Sequence, residues 1–245
     1  MPRHFFIAGA QRCATTYLYR MLEQHPEITM AQPVRPEPKY FIRPQISTDP
    51  AAYREEFFAG ARTDVLGEKS TSYIEHPVAA ERIARMFPDA TILFLLRDPV
   101  ERALSNYRFS VMNGLETLPL EEALACEPAR AAAACSGVSV SPFAYAARGH
   151  YVRHLDAWAE HLPRERMYLL TTEELVADTA SSMRRVFESL QVDPEVALQD
   201  IGASVNASGP PEEASEAVRE RLRAAFAESN RDLASRYGVS IGNWQ

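Results

Sequence analysis

Hydrophobic and polar positions along this chain fall into two alternating rhythms. A continuous apolar run from His4 to Ala8 reads as a buried strand, and Gly9 interrupts it. From Thr15 the spacing turns helical: Leu18, Met21, Leu22 and His25 share one face before Pro26 ends the segment at residues 15–25. Prolines at 33, 36, 38, 44 and 50 deny regular structure to residues 29–50, which places Glu37 on a loop beside the sheet edge. Residues 64–68 read as a short strand, 77–87 as a helix and 90–96 as the clearest buried strand. Pro99 suits a first helical turn, so residues 100–111 form a helix that carries Ser105. Residues 112–142 show weak periodicity apart from 120–126 and are expected to be an irregular insertion, a candidate lid. Helix returns at 145–162, strand at 166–171 and helix at 181–190. A last helix at 213–237 carries a Glu- and Arg-rich surface that reads as a solvated face.

Strands alternating with helices predict an α/β fold with a mostly parallel central sheet flanked by helices. No Gly/Ser-rich linker or shift in composition divides the 245 residues, and one domain over 1–245 is expected.

The chemistry concentrates where the first strand breaks. Gly9-Ala10-Gln11-Arg12-Cys13-Ala14-Thr15-Thr16 is a tight loop that admits one cation and opens a helix. Backbone N–H groups in such a loop and first turn have no intrahelical partners and carry the positive end of the helix dipole, so they suit a phosphate or sulfate. Set against the nucleotide-triphosphatase pattern G-x-x-x-x-G-K-[ST], Ala14 replaces the second glycine, Thr15 replaces the lysine, and the cation has moved forward to Arg12. The second apolar strand ends in Arg97 before Asp98-Pro99 where that class needs an acidic metal holder. An arginine there suits a second phosphate better than a metal.

These two segments carry a family resemblance. The 9–16 loop resembles the 5′-phosphosulfate loop of sulfotransferases that use 3′-phosphoadenosine 5′-phosphosulfate (PAPS), and Leu96-Arg97-Asp98-Pro99 through Ser105-Asn106-Tyr107 resembles their 3′-phosphate motif. Pro36-Glu37-Pro38-Lys39-Tyr40-Phe41 is similar to the K-E-x-x-[FY]-F segment of the heparan-sulfate-type branch, and Gly67-Glu68-Lys69-Ser70-Thr71-Ser72-Tyr73 to its G-E-K-[ST]-P-x-Y segment. Arg148-Gly149-His150-Tyr151 with Leu155 and Trp158 fits the family's G-x-Y-x-x-x-L-x-x-W helix. Departures are Pro36 where the branch has lysine and residues 205–213, which are neutral or acidic where many carbohydrate-acting members carry a basic loop.

The resemblance implies the P-loop nucleotide-kinase-like sulfotransferase fold, PAPS as donor, 3′-phosphoadenosine 5′-phosphate (PAP) as product and no required metal. It implies that Arg12, Cys13, Ala14, Thr15 and Thr16 bind the 5′-phosphosulfate, that Arg97 and Ser105 bind the 3′-phosphate, and that Tyr151 lines the adenosine site. Glu37 is implied as the base that takes the acceptor's proton, and Lys69 as a contact to the sulfuryl oxygens or an orienter of Glu37. Arg12, Glu37 and Lys69 are thus the candidate catalytic residues. His25, His76, His150, His154 and His161 stay open as other bases, each more often structural or exposed when it stands alone.

Composition narrows the partners. A net charge of −7 argues against a long nucleic-acid footprint and against a highly sulfated glycan as acceptor, so a small-molecule, sugar or carrier-bound hydroxyl or amine is expected. No apolar stretch approaches the roughly 18 residues a spanning helix needs, and the chain runs from Met1 almost directly into its first strand. Three cysteines, Cys13, Cys126 and Cys135, lack metal-ligand spacing and suit a reducing compartment, so a bacterial cytoplasmic member without a membrane partner is expected. Cys13 stands at a helix N-terminus that can lower a thiol's pKa and is a candidate for oxidation. A catalytically silent nucleotide-binding module and, less favoured, a P-loop kinase are the competing readings. Oligomeric state is not encoded in any pattern above.

Overall fold

The computed structural model describes residues 2–133, 141–199 and 214–244. Their packing divides into two compact units: the described residues of Met1–Leu96 with His154–Val205, and those of Arg97–Arg153 with Asn206–Gln245.

The first unit is built on a five-stranded, all-parallel sheet. Its strands are β1 (Arg3–Gly9), β2 (Ile28–Met30), β3 (Val65–Lys69), β4 (Thr91–Leu96) and β5 (Met167–Thr171), in the order β2-β3-β1-β4-β5. β1, β3 and β4 are buried almost throughout, as parallel strands covered on both faces must be. From β1 the chain turns to the left-hand strands, and from β4 it goes to β5 on the right. The topological switch point therefore lies between β1 and β4, and the crevice at the strands' carboxyl ends there is where α/β sheets bind ligands. The helices of this unit include α1 (Thr15–Glu23), α2 (Pro50–Phe58) and α3 (Pro77–Met86).

β2 and α2 are among the elements that escape the sequence reading. β2 is only three residues long, and α2 follows the proline-rich stretch with Asp49 capping the Ala51 N–H at 2.8 Å and Pro50 in its first turn. The periodicity of α2 is weak because Tyr53 and Phe58 alone carry its buried contacts. Those two rings join His4, Phe6, Phe41 and Phe87 in an aromatic cluster, with ring centroids 4.0 to 6.3 Å apart for the pairs His4–Phe87, Phe6–Phe41, Tyr53–Phe58 and Phe6–Tyr53.

His4 is an unusual member. Neither ring nitrogen has a hydrogen-bond partner, and burial, reinforced by the Arg54 charge, lowers its pKa from 6.5 to about 4. The unfolded chain therefore binds the proton more readily than the folded one, and stability falls as pH drops from 6.5 towards 4. His4→Phe is expected to remove this slope, so thermal unfolding of parent and variant across that window should converge at high pH and diverge at low pH, the variant being the more stable.

The second unit holds α4 (Pro99–Met112), α5 (Leu120–Ala133), a short 3-10 turn (Ala147–Gly149) and, completing the chain, α9 (Glu216–Tyr237). Their core gathers Val100, Leu104, Tyr107, Tyr145, Leu222 and Phe226. Gly149 is required by close approach: a Cβ there would lie 2.7 Å from the Phe226 ring and 2.8 Å from Pro99. α9 buries Val218, Leu222, Phe226, Leu233 and Tyr237, while Glu216, Glu220, Arg221, Arg231 and Arg236 on it are exposed. α5 runs on past Cys126 and through Pro128, where an irregular insertion was expected. Proline costs a helix one backbone hydrogen bond, and side chains on either side of it tie α5 down. Glu127 accepts the N–H groups of Ala146 and Ala147 at 2.7 and 2.8 Å, and Arg130 pairs with buried Glu116 at 2.8 Å.

Between β4 and α9 the remaining helices are α6 (Tyr151–Ala159), α7 (Thr172–Ala177) and α8 (Thr179–Leu190). α6 is shorter than the expected 145–162 because the 3-10 turn at Ala147–Gly149 precedes it. Residues 205–213, the expected neutral cover, and Cys135 lie outside the described residues.

Candidate active site

β1 closes on Gly9, where no side chain fits: a Cβ would lie 2.6 Å from Ile74 Cγ2. The Ala10 N–H then donates to Leu95 O on β4 at 2.8 Å, so the loop starts at the switch point. Arg12 (φ 70°) and Ala14 (φ 61°) both take the left-handed conformation with Cys13 between them. Such a turn directs successive N–H groups into one concavity that accepts an anion. Left-handed backbone is costly for residues with a Cβ and persists where function over-determines it.

α1 begins directly on this loop. Its N-cap is Ala14, which offers no side-chain acceptor, and its first turn holds no acidic residue. Helices α2, α4, α7, α8 and α9 are each capped by an Asp, Ser or Thr side chain. α3 is likewise without a side-chain cap; the N-terminus of α1 stands at the switch-point loop, flanked by the hydroxyls of Thr15 and Thr16 and preceded by the guanidinium of Arg12. This donor set fits the phosphosulfate end of PAPS. Thr172, which the sequence reading missed, braces the loop: its hydroxyl contacts the carbonyl oxygens of Cys13 at 3.0 Å and Leu96 at 2.9 Å. Cys13 is fully buried, which shields its thiol from the oxidation suggested by its position at a helix start.

Glu37 is held at the carboxyl end of β3, next to β1 in the sheet. Lys69, opposite Ile7 in the parallel register, donates its ammonium to Glu37 Oε1. The Thr71 N–H donates to Oε2 at 2.9 Å, and the Thr71 hydroxyl lies 3.0 and 3.1 Å from the two carboxylate oxygens. Lys69 is 3% exposed and Glu37 14%, so this is a sheltered ion pair whose partners need each other. The Ser70 N–H continues the ladder to Ile7 O at 3.1 Å, which ties the Glu37 anchor to the strand that delivers the anion loop. Arg12 in the loop after β1, Thr15 and Thr16 in the first turn of α1, Glu37 on the segment after β2 and Lys69 at the end of β3 thus lie at the carboxyl ends of neighbouring strands. Thr71 joins them as a residue whose role sequence reading did not assign, although it stands inside the 67–73 motif.

Arg97, Ser105 and Tyr151 belong to the second unit. Arg97 precedes α4, whose N-cap Asp98 accepts the Val100 N–H at 2.8 Å. Its guanidinium lies 3.7 Å from Glu101, a loose pair, and Glu101 takes a closer contact of 2.6 Å from Arg219 on α9. Arg219, on a helix surface that the sequence analysis read as solvated, is a second cation beside Glu101. Ser105 is buried on α4, two turns into the helix as expected. Tyr151 is fully buried, and its hydroxyl donates to the Arg97 carbonyl at 2.9 Å, which fixes the backbone from which that arginine projects.

Of the histidines, His25 pairs its Nε2 with Asp193 O at 2.9 Å and accepts the Glu27 N–H on Nδ1 at 3.1 Å, a structural role. Burial lowers the pKa of His150, which packs 5.1 Å from the Phe226 ring. Among the described residues, no group of three or more His, Cys, Asp and Glu side chains gathers as metal ligands, and no helix is long and apolar enough to cross a membrane.

Known proteins are similar to this chain in sequence and in architecture. A family model described as the sulfotransferase family matches residues 2–195. The chain is 29% identical over 184 residues to mouse (Mus musculus) heparan sulfate glucosamine 3-O-sulfotransferase 3B1, covering 75% of this chain and 45% of that protein. It is 28% identical over 205 residues to the human (Homo sapiens) bifunctional heparan sulfate N-deacetylase/N-sulfotransferase 2, covering 78% of this chain and 22% of that one. It therefore spans less than half the length of these curated relatives. A solved sulfotransferase from Alicyclobacillus acidocaldarius superposes with a TM-score of 0.82 at 28% identity, covering 100% of this chain and 99% of that chain. A mouse sulfotransferase complexed with PAP shares the fold, with a TM-score of 0.57 at 14% identity over 93% of this chain and 82% of the other. The uncapped anion loop after β1, the carboxylate anchored at the end of β3 and these matches lead to one assignment: the chain belongs to the sulfotransferase family.

Proposed function

We propose that this chain moves the sulfuryl group of PAPS onto a hydroxyl or amine of a small-molecule, sugar or carrier-bound acceptor. The observation that carries the reading is the juxtaposition of Glu37, anchored by Lys69 and Thr71, with the anion loop on the adjacent strand. The relatives named as a heparan sulfate glucosamine 3-O-sulfotransferase and a heparan sulfate N-deacetylase/N-sulfotransferase support a sugar among the candidate acceptors. The acidic net charge of −7 favours one with few sulfates of its own.

In this reading Arg12 and the N–H groups of the α1 N-terminus hold the 5′-phosphosulfate, with Thr15 and Thr16 adding hydroxyl donors. Sulfuryl transfer runs through a loose in-line transition state like that of phosphoryl transfer. The bond from sulfur to the acceptor oxygen or nitrogen forms as the bond from sulfur to the phosphate oxygen breaks, and the electron pair leaves with PAP. Arg12 stabilises the charge growing on that departing oxygen. Glu37 receives the acceptor's proton, and Lys69 and Thr71 keep its carboxylate aimed. Arg97 and Ser105 grip the 3′-phosphate, a task suited to the planar guanidinium fork, and so select PAPS over nucleotides without that group.

Thermal unfolding tests the donor assignment without knowledge of the acceptor. PAP is expected to raise Tm, ATP with magnesium is not, and Arg97→Ala should remove most of the PAP effect. A panel of N-sulfated glucosamine oligosaccharides, phenols, aliphatic alcohols and amines with PAPS then tests turnover. PAP binding without transfer to any member would favour the silent module, and stabilisation by ATP–magnesium alone the kinase.

A further inference from the structure

Glu68 precedes Lys69 on β3, so its side chain leaves the strand on the opposite face from the Glu37 ion pair. It is fully buried and accepts three hydroxyl protons at 2.6 Å each: Tyr53 on one oxygen, Ser70 and Tyr73 on the other. A hydroxyl has one proton and two lone pairs. With their protons committed to Glu68, Ser70 and Tyr73 present lone pairs to the backbone of the loop that carries Glu37. Ser70 Oγ accepts the Lys39 N–H at 2.9 Å, and the Tyr73 hydroxyl accepts the Phe41 N–H at 3.1 Å. Lys39 sits in the left-handed region, at φ 49°, where a residue with a side chain needs outside support. Glu37 is two residues upstream of that turn.

We propose that Glu68 is a positioning residue for Glu37: through Ser70 and Tyr73 it orients two hydroxyls that hang residues 39–41 on β3 and so set where the Glu37 carboxylate stands. Glu68 touches neither donor nor acceptor in this arrangement. Burial raises its pKa, against which the three hydroxyl donors act. The inference rests on the reading of Glu37 as the base.

The experiment compares Glu68→Gln, Glu68→Leu and the double variant Ser70→Ala/Tyr73→Phe with the parent. It reads kcat and KM for PAPS with the best acceptor of the panel, the Tm shift given by PAP, and hydrogen exchange at the Lys39 and Phe41 amides. Glu68→Gln keeps a carbonyl for Ser70 and Tyr73 and offers its amide N–H to the Tyr53 oxygen, so its kcat is expected to stay near the parent's. Glu68→Leu and the double variant are expected to lose about ten- to a hundredfold in kcat, the scale of a misplaced catalytic group. KM for PAPS and the PAP shift should be unchanged, and both amides should exchange faster. If Glu68→Leu does not fold, the double variant, which removes only two buried hydroxyls, answers the same question.

Parent-like kcat in the double variant, retained amide protection, or a Glu68→Gln loss as deep as that of Glu68→Leu would each overturn the proposal. Glu37→Gln in the same assay separates the two claims. Parent-like turnover there would overturn the base reading alone, and amide exchange would still decide whether Glu68 holds residues 39–41.

Discussion

Glu37→Gln is expected to lower kcat by roughly 10²- to 10⁴-fold, the range for loss of a general base, while the Tm shift given by PAP is retained. The substitution keeps the size of the side chain and its ability to accept from the Thr71 N–H, now 2.9 Å from Oε2. It removes the proton acceptor and leaves the buried Lys69 ammonium without its counter-charge. The second effect predicts a lower Tm for the variant without ligand, because a buried lysine lacking its partner is costly. The two effects are separated by Lys69→Met/Glu37→Gln, which removes the orphaned charge. This pair should recover stability and not turnover. Recovery of turnover along with Tm would show that Glu37 serves only to neutralise Lys69.

Arg12→Ala is expected to behave differently, weakening PAP binding and lowering kcat together, the latter by about 10²- to 10³-fold as for loss of one donor to a developing anion. Its guanidinium is assigned to the 5′-phosphate, which carries charge before the reaction and more of it during bond breaking. Both ground-state and transition-state terms are therefore lost. Arg12→Lys keeps the charge and loses the fork, so it should fall between Ala and the parent. A calorimetric or thermal titration with PAP, beside kcat and KM for PAPS, checks the order. If Arg12→Ala bound PAP as the parent does, the loop's backbone donors alone would account for the anion site and Arg12 would lose its assigned role.

The local signals in the chain proved strong where one short segment carries the whole message. Strand, Gly9, Arg12 and the hydroxyls of Thr15 and Thr16 lie within residues 3–16, and the strand, loop and helix start they form were legible before any contact was known. The buried run at β4 and the helix α4 after Pro99 were similarly plain, because β-branched and leucine-rich runs and an N1 proline act over a few residues. Glu37 and Lys69 could be named through the motifs around them, yet nothing in their spacing of 32 residues said that the ammonium would meet the carboxylate.

Other features were invisible for stated reasons. α2 has few buried positions and opens on the last proline of the 29–50 stretch, so its periodicity is faint. α5 crosses Pro128, a residue that argues against helix, and holds because Glu127 and Arg130 find partners 14 to 20 residues away. Arg219 looked like one more charge on a solvated helix until Glu101 was found beside it at 2.6 Å.

By itself the amino-acid sequence determined the alternation of strand and helix, the strand-loop-helix unit around Gly9 and the motifs that resemble those of the sulfotransferase family, since each depends on torsional preference, burial period or functional groups within one segment. Only the tertiary structure decided which strands became neighbours. The parallel register of β1 with β3 puts Lys69 opposite Ile7, brings Glu37 to the strand beside the anion loop and seats Glu68 beneath the turn at Lys39. Those meetings depend on closing the chain over tens of residues around a shared core, a cost and a gain that no local pattern encodes.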